Sequence, residues 1–351
     1  MSEKLITCEV IPSLLRIVSN VPHIPVFFQA RLYDNSAAEN WQGTTVHFRV
    51  VGSLPSKHSG GPTSYEFARG EPRARAITFE RPTGIPRLIF RAQMLNLLEE
   101  PQIFVGRGYH RFVRAAIGEV LPPGVHLRDV CMIALLSRGY TLVHSAALSK
   151  DGKGVVLLGP ANTGKSLTTI LGIERGIGYL AEDVAATDGD HVFAFPSTPS
   201  FAHGVKGVKA KNKIDQFKLK LVTLSHTDLP FLKYFLPFPE PDIGCLARPV
   251  EIVPKAKVSA VVFLQRGSAR FESLCKDEAF RRALILNKTE FSYSTNKLLY
   301  AYSFLNTEMD IPRLEAEEHR LLRNLVDNAP CYLACSERPE RFIDIVNDNL
   351  W

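Results

Sequence analysis

Gly159-Pro160-Ala161-Asn162-Thr163-Gly164-Lys165-Ser166 sets two glycines, a lysine and a hydroxyl at the spacing G-x-x-x-x-G-K-[ST]. That pattern serves phosphate binding. Backbone N–H groups of a tight loop turn inward around phosphate oxygens, and the helix that follows points its positive end at them. Lys165 is placed to reach terminal phosphates, and Ser166 to put a hydroxyl on a magnesium ion. A second group lies 17 residues beyond Lys165, where the apolar stretch Gly178-Tyr179-Leu180-Ala181 runs into Glu182-Asp183. Two carboxylates at a strand end can aim one at a metal ion and the other at a hydroxyl proton. Upstream, His144 interrupts the apolar run Thr141 to Leu148.

These groups need elements to hold them. Gly154 to Leu158 reads as a compact apolar strand feeding the loop, Lys165 to Glu174 as a helix and Gly178 to Ala181 as a strand. Around them the pattern predicts helices at Asp129 to Arg138, Asp277 to Leu286, Arg313 to Asn328 and about Pro339 to Asn347. Strands are expected at Thr141 to Leu148, Val258 to Leu264 and Cys331 to Ala334. Strands alternating with helices imply an α/β core with parallel strands over residues 126–351. Residues 1–125 read differently. Short alternating stretches such as Ile24 to Phe28 and Thr45 to Val51 predict a β-rich N-terminal region, with some helix near Met94 to Leu98 and an exposed loop from Gly52 to Arg73.

Composition bounds the classes. With 351 residues, 45% hydrophobic and 22% charged, the chain has material for two domains or one large one, and wholesale disorder is excluded. The net charge of +6 is mild. Lysines at 206, 209, 211, 213, 218 and 220 face a single acid, Asp215, which predicts a solvated loop or a lid that attracts an anionic ligand. Few aromatics interleave with them, so no nucleic-acid partner is expected. Arg266, after the strand Val258 to Leu264, is a candidate charge clamp on transferring phosphate. No apolar run approaches the length of a membrane span, and charges at Glu3, Lys4 and Glu9 break any secretory signal, so no membrane partner and a cytoplasmic location are expected. Six cysteines without a Cys-x-x-Cys pair read as buried reduced thiols, with Cys331 and Cys335 on one face of a strand.

Other phosphate-loop classes fit poorly. Asn212-Lys213-Ile214-Asp215 has the guanine-gripping form of GTPases, but the lysine-rich stretch before it is no buried strand. Ser59-Gly60-Gly61 precedes the loop without the rest of a transporter-ATPase signature. The order His144-Ser145-Ala146-Ala147, Gly159 to Ser166, Ala181-Glu182-Asp183 instead resembles the catalytic core of HPr kinase/phosphorylase, in the phosphate-loop superfamily shared with phosphoenolpyruvate carboxykinase. The resemblance covers about residues 126–200 and implies a kinase core of that type behind the β-rich N-terminal region.

It also implies roles. Gly159, Pro160, Ala161, Asn162, Thr163, Gly164, Lys165, Ser166 and Leu167 would bind ATP, and Ser166 with Asp183 would hold Mg2+. Glu182 would take the hydroxyl proton, and His144 would orient a phosphate oxygen. The family has aspartate at the position of Glu182, and the glycine-rich stretch its members use to dock HPr is missing. The expectation is therefore a divergent kinase acting on a small-molecule or peptide hydroxyl. A regulatory protein serine kinase/phosphorylase and a non-catalytic nucleotide sensor are the alternatives. Relatives form oligomers, so a homo-oligomer is possible.

Overall fold

The computed structural model describes residues 5–21, 41–55, 62–67, 69–71, 73–82, 89–110, 127–195, 210–223 and 245–351. Ile24 to Phe28, Ser59 to Gly61, Lys206 and Lys209 lie outside them. The fold is mixed α/β with two mixed sheets. Its contacts divide the chain into two units, Met1–Arg138 with Phe291–Glu317, and Gly139–Glu290 with Glu318–Trp351.

The first unit holds a seven-stranded sheet of β1 (Ile6–Ile11), β2 (Leu15–Ser19), β3 (Thr44–Val51), β4 (Thr63–Phe67), β5 (Ala74–Pro82), β6 (Ile89–Leu95) and β7 (Gln102–Gly106), in the order β1-β2-β3-β7-β6-β5-β4. Period-two patterning builds it. In β3, Thr44, Val46, Phe48 and Val50 are buried while Thr45, His47, Arg49 and Val51 are half-buried. Two expectations are corrected here. Met94 belongs to a strand rather than a helix, because Phe90, Ala92 and Met94 alternate inward between β5 and β7. The Gly52 to Arg73 stretch contains β4, which among the described residues pairs with β5 alone and so tolerates exposed Tyr65 and Phe67. Helix α1 (Leu127–Leu136) completes this part, and its buried Asp129 accepts from Ser292 N–H and Oγ and from Asn296 Nδ2.

The second unit is built on β8 (Thr141–Val143), β9 (Ser145–Lys150), β10 (Lys153–Leu158), α2 (Lys165–Glu174), β11 (Gly178–Ala181), β12 (Ala185–Thr187) and β13 (His191–Phe193). Helix α3 (Lys213–Thr223), β14 (Lys255–Gln265), β15 (Arg270–Ser273) and α4 (Lys276–Glu290) follow, and α5 (Lys297–Leu305) lies in the first unit. The chain ends with α6 (Ile311–Asp327), β16 (Cys331–Cys335), a 3-10 turn at Pro339–Arg341 and α7 (Phe342–Leu350). The long strand β14 runs parallel to β10 and to β16, whereas β9, β11 and β13 pair antiparallel with their neighbours.

The parallel core expected from the alternation is thus a mixed sheet. Its cause is local: Asp151 and Gly152, both at positive φ (52° and 75°), form a two-residue Asp-Gly turn that folds β10 back on β9. Buried Leu148, Val155, Leu157, Val262, Leu264, Phe342, Ile343 and Val346 form the core beneath the loop, each large side chain contributing about 1.5–3 kcal/mol. Five cysteines are buried and unbridged as expected, but Cys275 is exposed. No helix among the described residues is long and apolar enough to cross a membrane.

Candidate functional site

The strand β10 is buried up to Leu158 and delivers the chain into the Gly159–Ser166 loop. A Cβ at Gly159 would stand 2.9 Å from Thr163 Oγ1 and 3.0 Å from the Leu264 carbonyl, so the first glycine is set by close approach. Gly164 is set by conformation as well. Its φ is 120°, and a Cβ there would meet Pro339 Cβ at 2.6 Å. Pro160, Ala161 and Asn162 are exposed at the mouth, and Asn162 turns the loop at φ 64°. Helix α2 starts at Lys165 with no side chain capping it, which leaves its positive end toward the loop. Thr163 Oγ1 donates to the Pro160 carbonyl, Thr168 Oγ1 to Gly164 (2.8 Å) and Thr169 Oγ1 to Lys165 (3.1 Å). Leu167 lies half-buried in the same first turn.

The Lys165 side chain turns back into the loop. Its Nζ donates to the carbonyls of Gly159 and Pro160 (3.3 Å) and lies 3.1 Å from His144 Nε2. Burial lowers its pKa from the ordinary lysine value, and the charges of Asp183, Glu182 and Glu290 oppose that shift. Beside it, Ser166 Oγ donates to Glu182 Oε1.

The adjacent carboxylates sit on a tight turn and meet different partners. Val184 N–H closes onto the Glu182 carbonyl (2.8 Å) around Asp183, whose φ is 67°, a γ-turn of the rare positive-φ form. Ser145 N–H fixes the Asp183 carbonyl at 3.1 Å. Glu182 is buried against Ser166, while the partly exposed Asp183 carboxylate lies 3.6 Å from His144 Nδ1.

His144 sits where the single strand expected from Thr141 to Leu148 breaks into β8 and β9. The break is bridged by buried Asn287 on α4, whose Oδ1 accepts from His144 N–H (3.0 Å) and whose Nδ2 donates to the Leu142 carbonyl (2.9 Å). Glu318 Oε1 also accepts from Asn287 Nδ2 (2.9 Å). Three residues further along α4, Glu290 Oε2 lies 3.6 Å from His144 Nδ1.

Sequence reasoning missed both Asn287 and Glu290. Neither stands in a motif, and only the helical spacing of three could have paired them. His144, Asp183 and Glu290 bring one ligand atom each within 4.8 Å of one another, a set able to hold a divalent cation.

Arg266 Nη1 donates to the Glu337 carbonyl (2.8 Å), tying two loops together. Lys211, Lys213, Lys218 and Lys220 are exposed on or beside α3. Asn212 Oδ1 accepts from Asp215 N–H (2.9 Å), so the Asn-Lys-x-Asp sequence is a local helix cap.

No family model and no curated protein matches the chain. Among solved structures it matches the Hpr(Ser) kinase/phosphatase from Coxiella burnetii at 18% identity and a TM-score of 0.21, over 38% of this chain and 72% of that one. A likeness of that size carries no argument, so the chemistry is argued from the chain's own residues.

Proposed function

We propose that this protein is a phosphotransferase that moves the γ-phosphoryl group of ATP to a hydroxyl of a small molecule or peptide. One observation carries the reading: three separate segments, at His144, at Lys165-Ser166 and at Glu182-Asp183, converge through side-chain contacts at the mouth of a glycine-bounded loop. Phosphoryl transfer needs positioning and charge neutralisation more than covalent help from the protein, and this is a site of fixed charges and donors.

Magnesium fits the donors present, since the hydroxyl of Ser166 and the carboxylate of Glu182 are hard oxygen ligands already side by side. When bound it would neutralise phosphate charge. Glu182 and Asp183 therefore take exchanged roles relative to the sequence expectation. Glu182 joins Ser166 at the metal, and Asp183, the more exposed of the two, accepts the proton of the hydroxyl as its oxygen bonds phosphorus and the bond from phosphorus to ADP breaks. Lys165 gives up its loop carbonyls for the phosphate oxygens.

The test is to incubate the protein, magnesium and γ-labelled ATP with an extract of the source organism, alongside Lys165→Ala, and to separate small molecules from proteins. Lys165-dependent label in the low-mass fraction is expected. Label confined to a protein band would make it a protein kinase, and none in either fraction would leave a nucleotide sensor.

A further inference from the structure

We propose that Glu290 is a positioning residue that holds the His144 ring with its proton on Nδ1, leaving Nε2 as a hydrogen-bond acceptor. This role rests on the phosphotransferase reading only for its consequence in turnover.

An ammonium group has three hydrogens and no lone pair. Lys165 Nζ directs them at the Gly159 carbonyl, the Pro160 carbonyl and His144 Nε2, so Nε2 must offer its lone pair. In a neutral imidazole the remaining proton is then on Nδ1. That nitrogen faces two groups that only accept, Asp183 Oδ1 and Glu290 Oε2, each at 3.6 Å. At that separation the hold is the attraction of a charge for an N–H dipole rather than a closed hydrogen bond.

Of the two carboxylates, Glu290 is the less exposed, and it comes from the helix that grips the backbone of the same histidine through Asn287. Helix α4 thus fixes His144 twice, at its N–H and at its ring.

The tautomer has a chemical consequence. With its proton on Nδ1, His144 cannot donate from Nε2 to a phosphate oxygen, which is the role implied by the family resemblance. It acts through Lys165 instead, holding the ammonium in line with the loop.

The experiment is nitrogen NMR of the full-length protein labelled with 15N-histidine, in EDTA so that no divalent cation occupies Nδ1. The His144 signals are identified by their loss in His144→Gln. Wild type is expected to show a protonated Nδ1 and an unprotonated Nε2. In Lys165→Met, which removes the hydrogens that claim the Nε2 lone pair, the proton is expected to stay on Nδ1; adding Glu290→Gln, whose amide can donate to Nδ1, is expected to move it toward Nε2, and adding Glu290→Asp instead to keep it on Nδ1. Turnover in Glu290→Gln should fall about 10–100-fold, with the KM for ATP changed by less than about threefold.

An Nε2–H in wild type overturns the assignment even if Glu290→Gln fails to fold. So does a ring tautomer unchanged between Lys165→Met and a folded Lys165→Met/Glu290→Gln. Because the spectrum needs no turnover, the expected tautomers in a protein that phosphorylates nothing would uphold Glu290's role and sink the phosphotransferase reading alone.

Discussion

Ser166 Oγ donates its hydrogen to Glu182 Oε1, joining the last residue of the loop motif to a carboxylate 16 residues further on. The contact turns Glu182 away from its neighbour Asp183, which lies against His144. The γ-turn at Asp183 turns the chain where the two carboxylates part, and each side chain is received by its own partner. The two residues therefore have separable functions, and substitution separates them.

Glu182→Gln keeps the shape of the side chain and removes its charge from beside Ser166. The magnesium concentration for half-maximal turnover is expected to rise about tenfold or more, the usual scale for losing one metal-site group. A magnesium titration at saturating ATP measures it, and an unchanged midpoint would remove Glu182 from the metal.

Asp183 occupies a backbone conformation that glycine adopts without cost. Asp183→Gly is expected to raise unfolding stability by about 1 kcal/mol, the strain of one residue at positive φ, while turnover falls about 100-fold or more with the loss of the proton acceptor. Urea unfolding and a kinase assay on the same preparation test both halves. A variant that loses stability would show that the turn is held by contacts of the carboxylate rather than strained.

Lys165 has a pKa lowered in the folded state, chiefly by burial, so the unfolded chain binds more protons there between the folded value and the ordinary 10.5. Stability contributed by this group therefore rises as pH rises through that window. In Lys165→Met the rise is expected to be missing. Urea midpoints compared between neutral pH and pH near the ordinary lysine value, for wild type against the variant, give the difference; parallel slopes would contradict it.

Asn287→Ala strips a buried bridge that satisfies His144 N–H, the Leu142 carbonyl and Glu318. Leaving those groups without it is expected to cost about 2–4 kcal/mol and to reduce turnover together with stability. Chemical unfolding checks the first. A stable but inactive variant would instead assign Asn287 to orienting His144 alone.

Much of the local frame is legible in the chain. The pattern places Lys165–Glu174 and Gly178–Ala181 at the bounds observed, and the cores of β14, α4, α6 and β16 fall where periodicity puts them. Turn chemistry is legible too, since Asp151-Gly152 is a hairpin signal and it makes β9 and β10 antiparallel. The loop, its lysine and hydroxyl, and the carboxylate pair stand at short fixed spacings, because a strand, a tight turn and a helix impose their geometry within a few residues.

What spacing does not carry is which distant residues meet. Asn287 reaches His144 across 143 residues, and Glu290 joins it only because α4 packs under the break between β8 and β9. Which group receives Glu182 and which receives Asp183 depends on the partners that packing brings to each side chain. Residue types and periods are short-range information, so they locate the phosphate loop and its carboxylates. The ring that surrounds His144 depends on packing between segments, a property of the folded chain as a whole.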